Sequence, residues 1–152
     1  MRKYVPFILI LIMMLIIFGF SAIDGPSSYG FSKAIAKFIK SIIDLLGGNN
    51  CSITAIDMVI RKLAHFFEYL ILTILLFVGF SNNKLSRRYS LLTSAIISVL
   101  VSIVDEGVIQ NISGRNNNFF DVMVDCTGII AAVIIVALNI RLKVKVKAES
   151  EK

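Results

Sequence analysis

Four predominantly apolar runs constrain this chain more than any other feature: Val5 to Ile23, Leu63 to Phe80, Tyr89 to about Val104, and Val122 to Ile140. Each is close to the ~20 residues that carry a helix across a bilayer. In lipid the backbone must satisfy its own hydrogen bonds, and a lone apolar run can do so only as a helix. A 152-residue chain that is 57% hydrophobic and 17% charged has too little interior to hide these runs from water, which excludes soluble and disordered classes. The expected fold is therefore all-α: a polytopic membrane protein with four transmembrane helices in a bundle, one integral membrane domain over 1–152. Its two prolines, Pro6 and Pro26, fall at or near the ends of the first run, so no helix interior is broken. The first run follows Arg2 and Lys3 and ends at Ser21-Ala22, as a signal peptide would. It is longer than the h-region of about 7 to 15 residues, so an uncleaved span is expected.

The basic residues set an orientation. Arg2 and Lys3 precede the first span, Lys84, Arg87 and Arg88 fill the turn between the second and third, and Arg141, Lys143, Lys145, Lys147 and Lys152 follow the fourth. These three short segments hold ten of the sixteen Lys and Arg, so the positive-inside rule predicts cytoplasmic termini, with residues 24–62 and 105–121 facing outward. The net charge of +6 thus reads as orientation rather than as a nucleic-acid footprint. The alternating basic and apolar tail from Arg141 to Lys147 suits inner-leaflet phospholipid. With only Cys51 and Cys126, neither a disulfide framework nor a cysteine-rich metal site is available.

The longer outer loop carries its own periodicity. Phe31, Ile35, Phe38, Ile39, Ile42 and Leu46 recur at helical spacing, with Lys33, Lys37, Lys40 and Asp44 on another face. This predicts an amphipathic helix over about 31–46 lying on the membrane and stopped by Gly47-Gly48-Asn49-Asn50. Thr54 with Asp57 three positions later resembles a capping box opening the next helix.

Ionisable residues in or beside apolar spans carry the functional signal, since each charge costs about 2.5–3.5 kcal/mol at the bilayer centre on insertion scales. In the topology above, all of them fall at the outer ends of the second, third and fourth spans. Lys62, His65, Glu68 and Tyr69 follow steps of three and four along one helix face. Ser94, Ser98, Ser102 and Asp105 form a stripe on the third span, with Glu106 and Gln110 on an adjacent one. Asp121, Asp125, Gly128 and Ala132 share a face of the fourth, and Gly128 with Ala132 is a small-xxx-small pair for close helix packing. Between the third and fourth spans, the polar turn from Asn111 to Asn118 sets Arg115 above the acids. Its guanidinium could pair with Asp121 or Glu106, or grip an incoming phosphate or carboxylate.

These residues resemble the VanZ family of small bacterial membrane proteins. The resemblance rests on Lys62-Leu-Ala-His65-Phe66-Phe67-Glu68-Tyr69, Asp105-Glu106-Gly-Val-Ile-Gln110, Gly114-Arg115, and Asp121 with Asp125 and Gly128. It is close over residues 62–128, and outside them extends to hydropathy and to the Phe20-Ser21 that ends the first span. Relatives often carry an aromatic residue and a proline where this chain has Ile112 and Ser113. The resemblance implies a four- or five-helix protein of the bacterial plasma membrane. It also implies a link to low-level resistance to teicoplanin, a lipid-tailed glycopeptide, although many relatives occur without any resistance context.

Each site residue has a plain structural reading beside the functional one. His65 with Glu68 reads as an acid-base pair or ligand, or else as a hydrogen-bonded tie between helices. Asp105 and Glu106, adjacent and about 100° apart on a helix, are not expected to face one site together, one of them reaching headgroup water. Asp121 stands at capping distance from Asn118, where a carboxylate is favoured by the helix dipole. Cys126 reads as packing. A metal is not expected, because His65 is the sole histidine and Arg115 could neutralise the acids. The leading expectation is a binding module whose outward polar pocket engages a lipid head group or lipid-linked wall precursor, with no cofactor. The alternatives are a small membrane hydrolase or transferase using acid-base chemistry on a head group, and a structural or accessory subunit.

Overall fold

The apolar runs do become helices, and those of the second, third and fourth runs extend beyond them. The structure, a computed structural model, describes residues 4–22, 25–47, 51–83, 85–109 and 119–150. Its elements are α1 (Val5–Ala22), α2 (Gly25–Leu45), α3 (Ile53–Asn82), α4 (Arg87–Val104) running on into a π-helical turn (Asp105–Ile109), and α5 (Phe119–Ser150). No strand occurs among the described residues. The helices α1, α3, α4 with its π turn, and α5 are long and apolar enough to cross a membrane.

Two boundaries depart from the hydropathy reading. Helix α3 begins at Ile53 rather than near Leu63, with Ser52 in extended backbone as its N-cap, so Thr54 lies inside the first turn and the Thr54–Asp57 capping box does not form. Thirty residues give α3 a length of about 45 Å against a hydrocarbon core of about 30 Å. Its first turns, with Asp57, Arg61 and Lys62, therefore do not all have to enter hydrocarbon. Helix α5 continues to Ser150 because Arg, Lys and Ala in the tail are good helix formers. Helix α2 ends in a turn closed by Gly47, whose φ of 88° lies in the left-handed region that favours glycine.

Helix α3 is the hub, packed against α1, α2, α4 and α5. The core joins Ile10 and Ile17 of α1, Tyr69, Leu72 and Leu76 of α3, Val101 of α4 and Ile129 of α5. Glycine permits the closest approach: a Cβ on Gly128 would stand 2.3 Å from the Phe66 carbonyl oxygen and 3.3 Å from the Leu70 nitrogen. One turn on, Ala132 is fully buried. Leu15, Phe67, Leu92, Ile103 and Ile130 are exposed around the outside of the bundle, as lipid-facing side chains are in a membrane protein.

Candidate functional site

The polar residues converge where the end of α4, the start of α5 and the second quarter of α3 meet. The close Gly128 contact brings α3 and α5 together, and the faces carrying Lys62, His65 and Tyr69 and carrying Asp121 and Asp125 turn toward each other and toward α4. Lys62 Nζ donates to Asp121 Oδ1 at 2.7 Å. One turn deeper, His65 Nδ1 lies 3.2 Å from Asp125 Oδ1 and 3.9 Å from Glu106 Oε1. Another turn on, the Tyr69 hydroxyl donates to Asp105 Oδ2 at 3.4 Å. Asp105, Glu106 and Asp125 are each at most 1% exposed.

The partner of His65 is thus across the bundle. Glu68, on the next turn of the same helix, is half-buried and interacts with His65 electrostatically without reaching ion-pair distance, and the carboxylates nearest the imidazole are those of α5 and the π turn. The π turn also accounts for a second departure. Asp105 and Glu106 both point inward, against the expectation that one would reach headgroup water. A π-helical turn is wider than an α turn and shifts successive side chains off the 100° spacing, which lets neighbours share one interior. Such turns are frequent at functional sites. Gln110 and Arg115, with the whole turn from Asn111 to Asn118, lie outside the described residues. The cation shown on Asp121 is Lys62.

Below the acids runs a line of hydroxyls. Ser90, Ser94, Ser98, Ser102 and Thr73 are all completely buried. The Ser102 hydroxyl donates to Asp125 Oδ2 at 2.7 Å. Thr73 and Ser98 oxygens stand 2.8 Å apart and Thr73 Oγ1 is 2.7 Å from the Tyr69 carbonyl. A carbonyl only accepts, so the single Thr73 proton goes to Tyr69 and Ser98 becomes the donor to Thr73. Ser94 donates back to the Ser90 carbonyl at 2.7 Å. At the end of α1, Ser21 adds a side-chain hydrogen bond to Asp105. The sequence offered no sign of that contact beyond a small polar residue at a span end.

Lys62 has a second neighbourhood. With Phe120, Met123, Val124 and Thr127 it lines an open cleft of about 350 Å³ on the α3–α5 side of the cluster. Its lining is mostly apolar, with Lys62 and Thr127 as the polar residues, so the cleft is amphipathic. Cys51 is exposed, Cys126 is half-buried, and both are free thiols.

Four apolar helices enclosing an imidazole, three buried carboxylates and a half-buried lysine–aspartate pair define a multi-pass membrane protein with an ionisable centre inside its bundle. The family profile VanZ/LLP1 matches residues 6–140, which takes in the body of all four helices long and apolar enough to cross a membrane, and the chain belongs to this VanZ-like family. No curated protein and no solved structure gives a significant match.

Proposed function

We propose that this protein resides in the bacterial plasma membrane with both termini in the cytoplasm. There it binds, without transforming, the head group of an envelope lipid or lipid-linked wall precursor at an outward-facing pocket built from Lys62, His65, Glu68, Tyr69, Asp105, Glu106, Asp121 and Asp125. Gln110 and Arg115 complete the pocket in this reading. Helix α2 lies in the outer interface: Ala36 is fully buried while Phe38 and Ile42 are exposed, the pattern of a helix with an apolar face left for lipid. The observation that carries the proposal is the adjacency of the amphipathic cleft at Lys62 to the buried acid–imidazole cluster. A lipid has the same two-part chemistry, with chains for Phe120, Met123 and Val124 and a polar head for the cluster. Glu68, half-buried and with no hydrogen bond or ion pair to another described residue, is poised to accept from head-group hydroxyls or amines. Sequestering such a lipid would give the family's link to teicoplanin resistance a physical basis.

The test is equilibrium binding of purified protein in nanodiscs to candidate lipids, with Glu68→Ala and Arg115→Ala alongside. At least about tenfold weaker binding by both variants is expected, since hydrogen bonds involving charged groups contribute about 1.5–3 kcal/mol. Equal affinity across all three proteins would remove the pocket from the account. One set of observations favours a structural reading: Lys62–Asp121, Tyr69–Asp105 and Ser102–Asp125 all tie separate elements together. Under that reading Lys62→Ala and Ser102→Ala lower abundance while binding per folded molecule stays normal. Turnover of a bound lipid in the same assay would instead establish the enzymatic alternative.

A further inference from the structure

We propose that His65, Glu106 and Asp125 form a three-ligand site for a divalent cation of the zinc or manganese class, held between α3, α5 and the π turn. One potential ligand atom from each residue lies within 4.8 Å of the other two. A metal ion about 2.1 Å from its ligands holds neighbouring donors about 3.0 Å apart in octahedral and about 3.4 Å apart in tetrahedral geometry. The 3.2 Å between His65 Nδ1 and Asp125 Oδ1 falls between those values, while Glu106 Oε1, 3.9 Å from the imidazole, must move inward to complete the set.

A second observation points to a missing cation. Asp125 is fully buried, and its Oδ1, facing the imidazole, has no hydrogen-bond partner among the described residues. His65 Nδ1 is likewise buried without a hydrogen bond there: at 3.2 Å the two atoms are close enough for an ion pair but are not aligned as donor and acceptor. The two atoms pair electrostatically at 3.2 Å but without full hydrogen-bond alignment, so two buried groups that are normally satisfied are left with room for a shared third body. Lys62, on the same face of α3, is engaged by Asp121 at 2.7 Å. Asp105 adds a further buried carboxylate beside the group, with its Oδ1 also lacking a hydrogen bond. The ligands are supported from behind, because the Ser102 hydroxyl on Asp125 Oδ2 orients that carboxylate as the outer partners of metal ligands do. One imidazole and two carboxylates match zinc and manganese better than magnesium or calcium, which favour oxygen alone. With three protein ligands, coordination positions remain open for water or a lipid phosphate.

The site overlaps the head-group pocket, and the cation would supply the positive charge that an acid-rich pocket needs to accept a phosphate. The cation proposal stands apart from lipid binding, however, and its test uses none. Tag-free full-length protein, stripped with chelator and reloaded with Zn²⁺ or Mn²⁺, is analysed for metal content and affinity. Expected is one ion per chain. Binding should weaken about 10- to 100-fold in Ser102→Ala and at least as much in His65→Gln and Asp125→Asn, while Asn139→Ala, whose side chain bonds only the Ile135 carbonyl of its own helix, binds as wild type does. Should the ligand variants fail to fold, pulsed EPR of Mn²⁺-loaded wild type decides, because the chain holds one histidine. An imidazole nitrogen coupling supports the site and its absence from bound Mn²⁺ overturns it. Folded wild type that retains no ion, or His65→Gln and Asp125→Asn that bind as wild type does, would equally overturn it. Wild type that binds lipid but no metal refutes the cation alone, and wild type that binds metal but no lipid refutes the head-group reading alone.

Discussion

Replacing Gly128 with alanine tests the helix contact on which the pocket is built. The added Cβ would stand 2.3 Å from the Phe66 carbonyl oxygen, 3.1 Å from its carbon and 3.3 Å from the Leu70 nitrogen. All three are backbone atoms, so no rotamer change relieves the overlap, and α3 and α5 must separate by about 1 Å to regain ordinary contact. Overpacking of this kind costs about 1–3 kcal/mol. Alanine recovers up to about 1 kcal/mol of helix propensity, which places the net loss near 1–2 kcal/mol. Lys62–Asp121 and His65–Asp125 bridge the same two helices, so their 2.7 and 3.2 Å separations should lengthen with the shift. The assay is reversible unfolding in mixed micelles, with Gly19→Ala as control, because a Cβ on Gly19 meets nothing within 4 Å. The control should be neutral or slightly stabilising and Gly128→Ala clearly destabilising. A Gly128→Ala protein as stable as the Gly19→Ala control would refute the close approach.

Further outcomes follow from the hydrogen-bond network and are measured by the same unfolding assay. Ser102→Ala strands Asp125 Oδ2 in a dry interior and should cost about 1–3 kcal/mol, whereas Ser94→Ala loses only a bond to its own helix and should cost less than about 1 kcal/mol; equal losses would contradict this ranking. Lys62→Ala leaves Asp121 without its partner and should destabilise by about 1–2 kcal/mol, with Asp121→Asn restoring part of the loss in the double variant. Strict additivity would indicate that the pair contributes nothing.

Much of the fold was legible because its cause is local. Hydropathy marks the four crossings, and steps of three and four along α3 put Lys62, His65 and Tyr69 on one face whatever they meet. What the sequence withheld depends on tertiary choice. The apolar run begins only at Leu63 because Asp57, Arg61 and Lys62 depress hydropathy where the helix has already begun, whereas the polar pattern at Thr54 and Asp57 marks a start close to the observed Ile53. Asp105 and Glu106 were expected to diverge because an α-helical spacing was assumed, and one π turn removes that assumption. His65 was matched with Glu68 by proximity in sequence, yet a buried imidazole takes whichever carboxylate the packing delivers, here Asp125 from α5 and Glu106 from the π turn. The same limit applies to Lys62 and Asp121, fifty-nine positions apart and joined only by the approach of their helices at Gly128.

Every role assigned to the cluster depends on which side of the membrane it faces. In a cysteine-free background made by replacing Cys51 and Cys126 with serine, single cysteines placed by Lys84→Cys and Asn116→Cys are exposed in intact cells to a thiol reagent that cannot cross the bilayer. Labelling at 116 with protection at 84 until the membrane is opened is the expected result. Labelling at 84 with protection at 116 would turn the pocket toward the cytoplasm and contradict the proposed function.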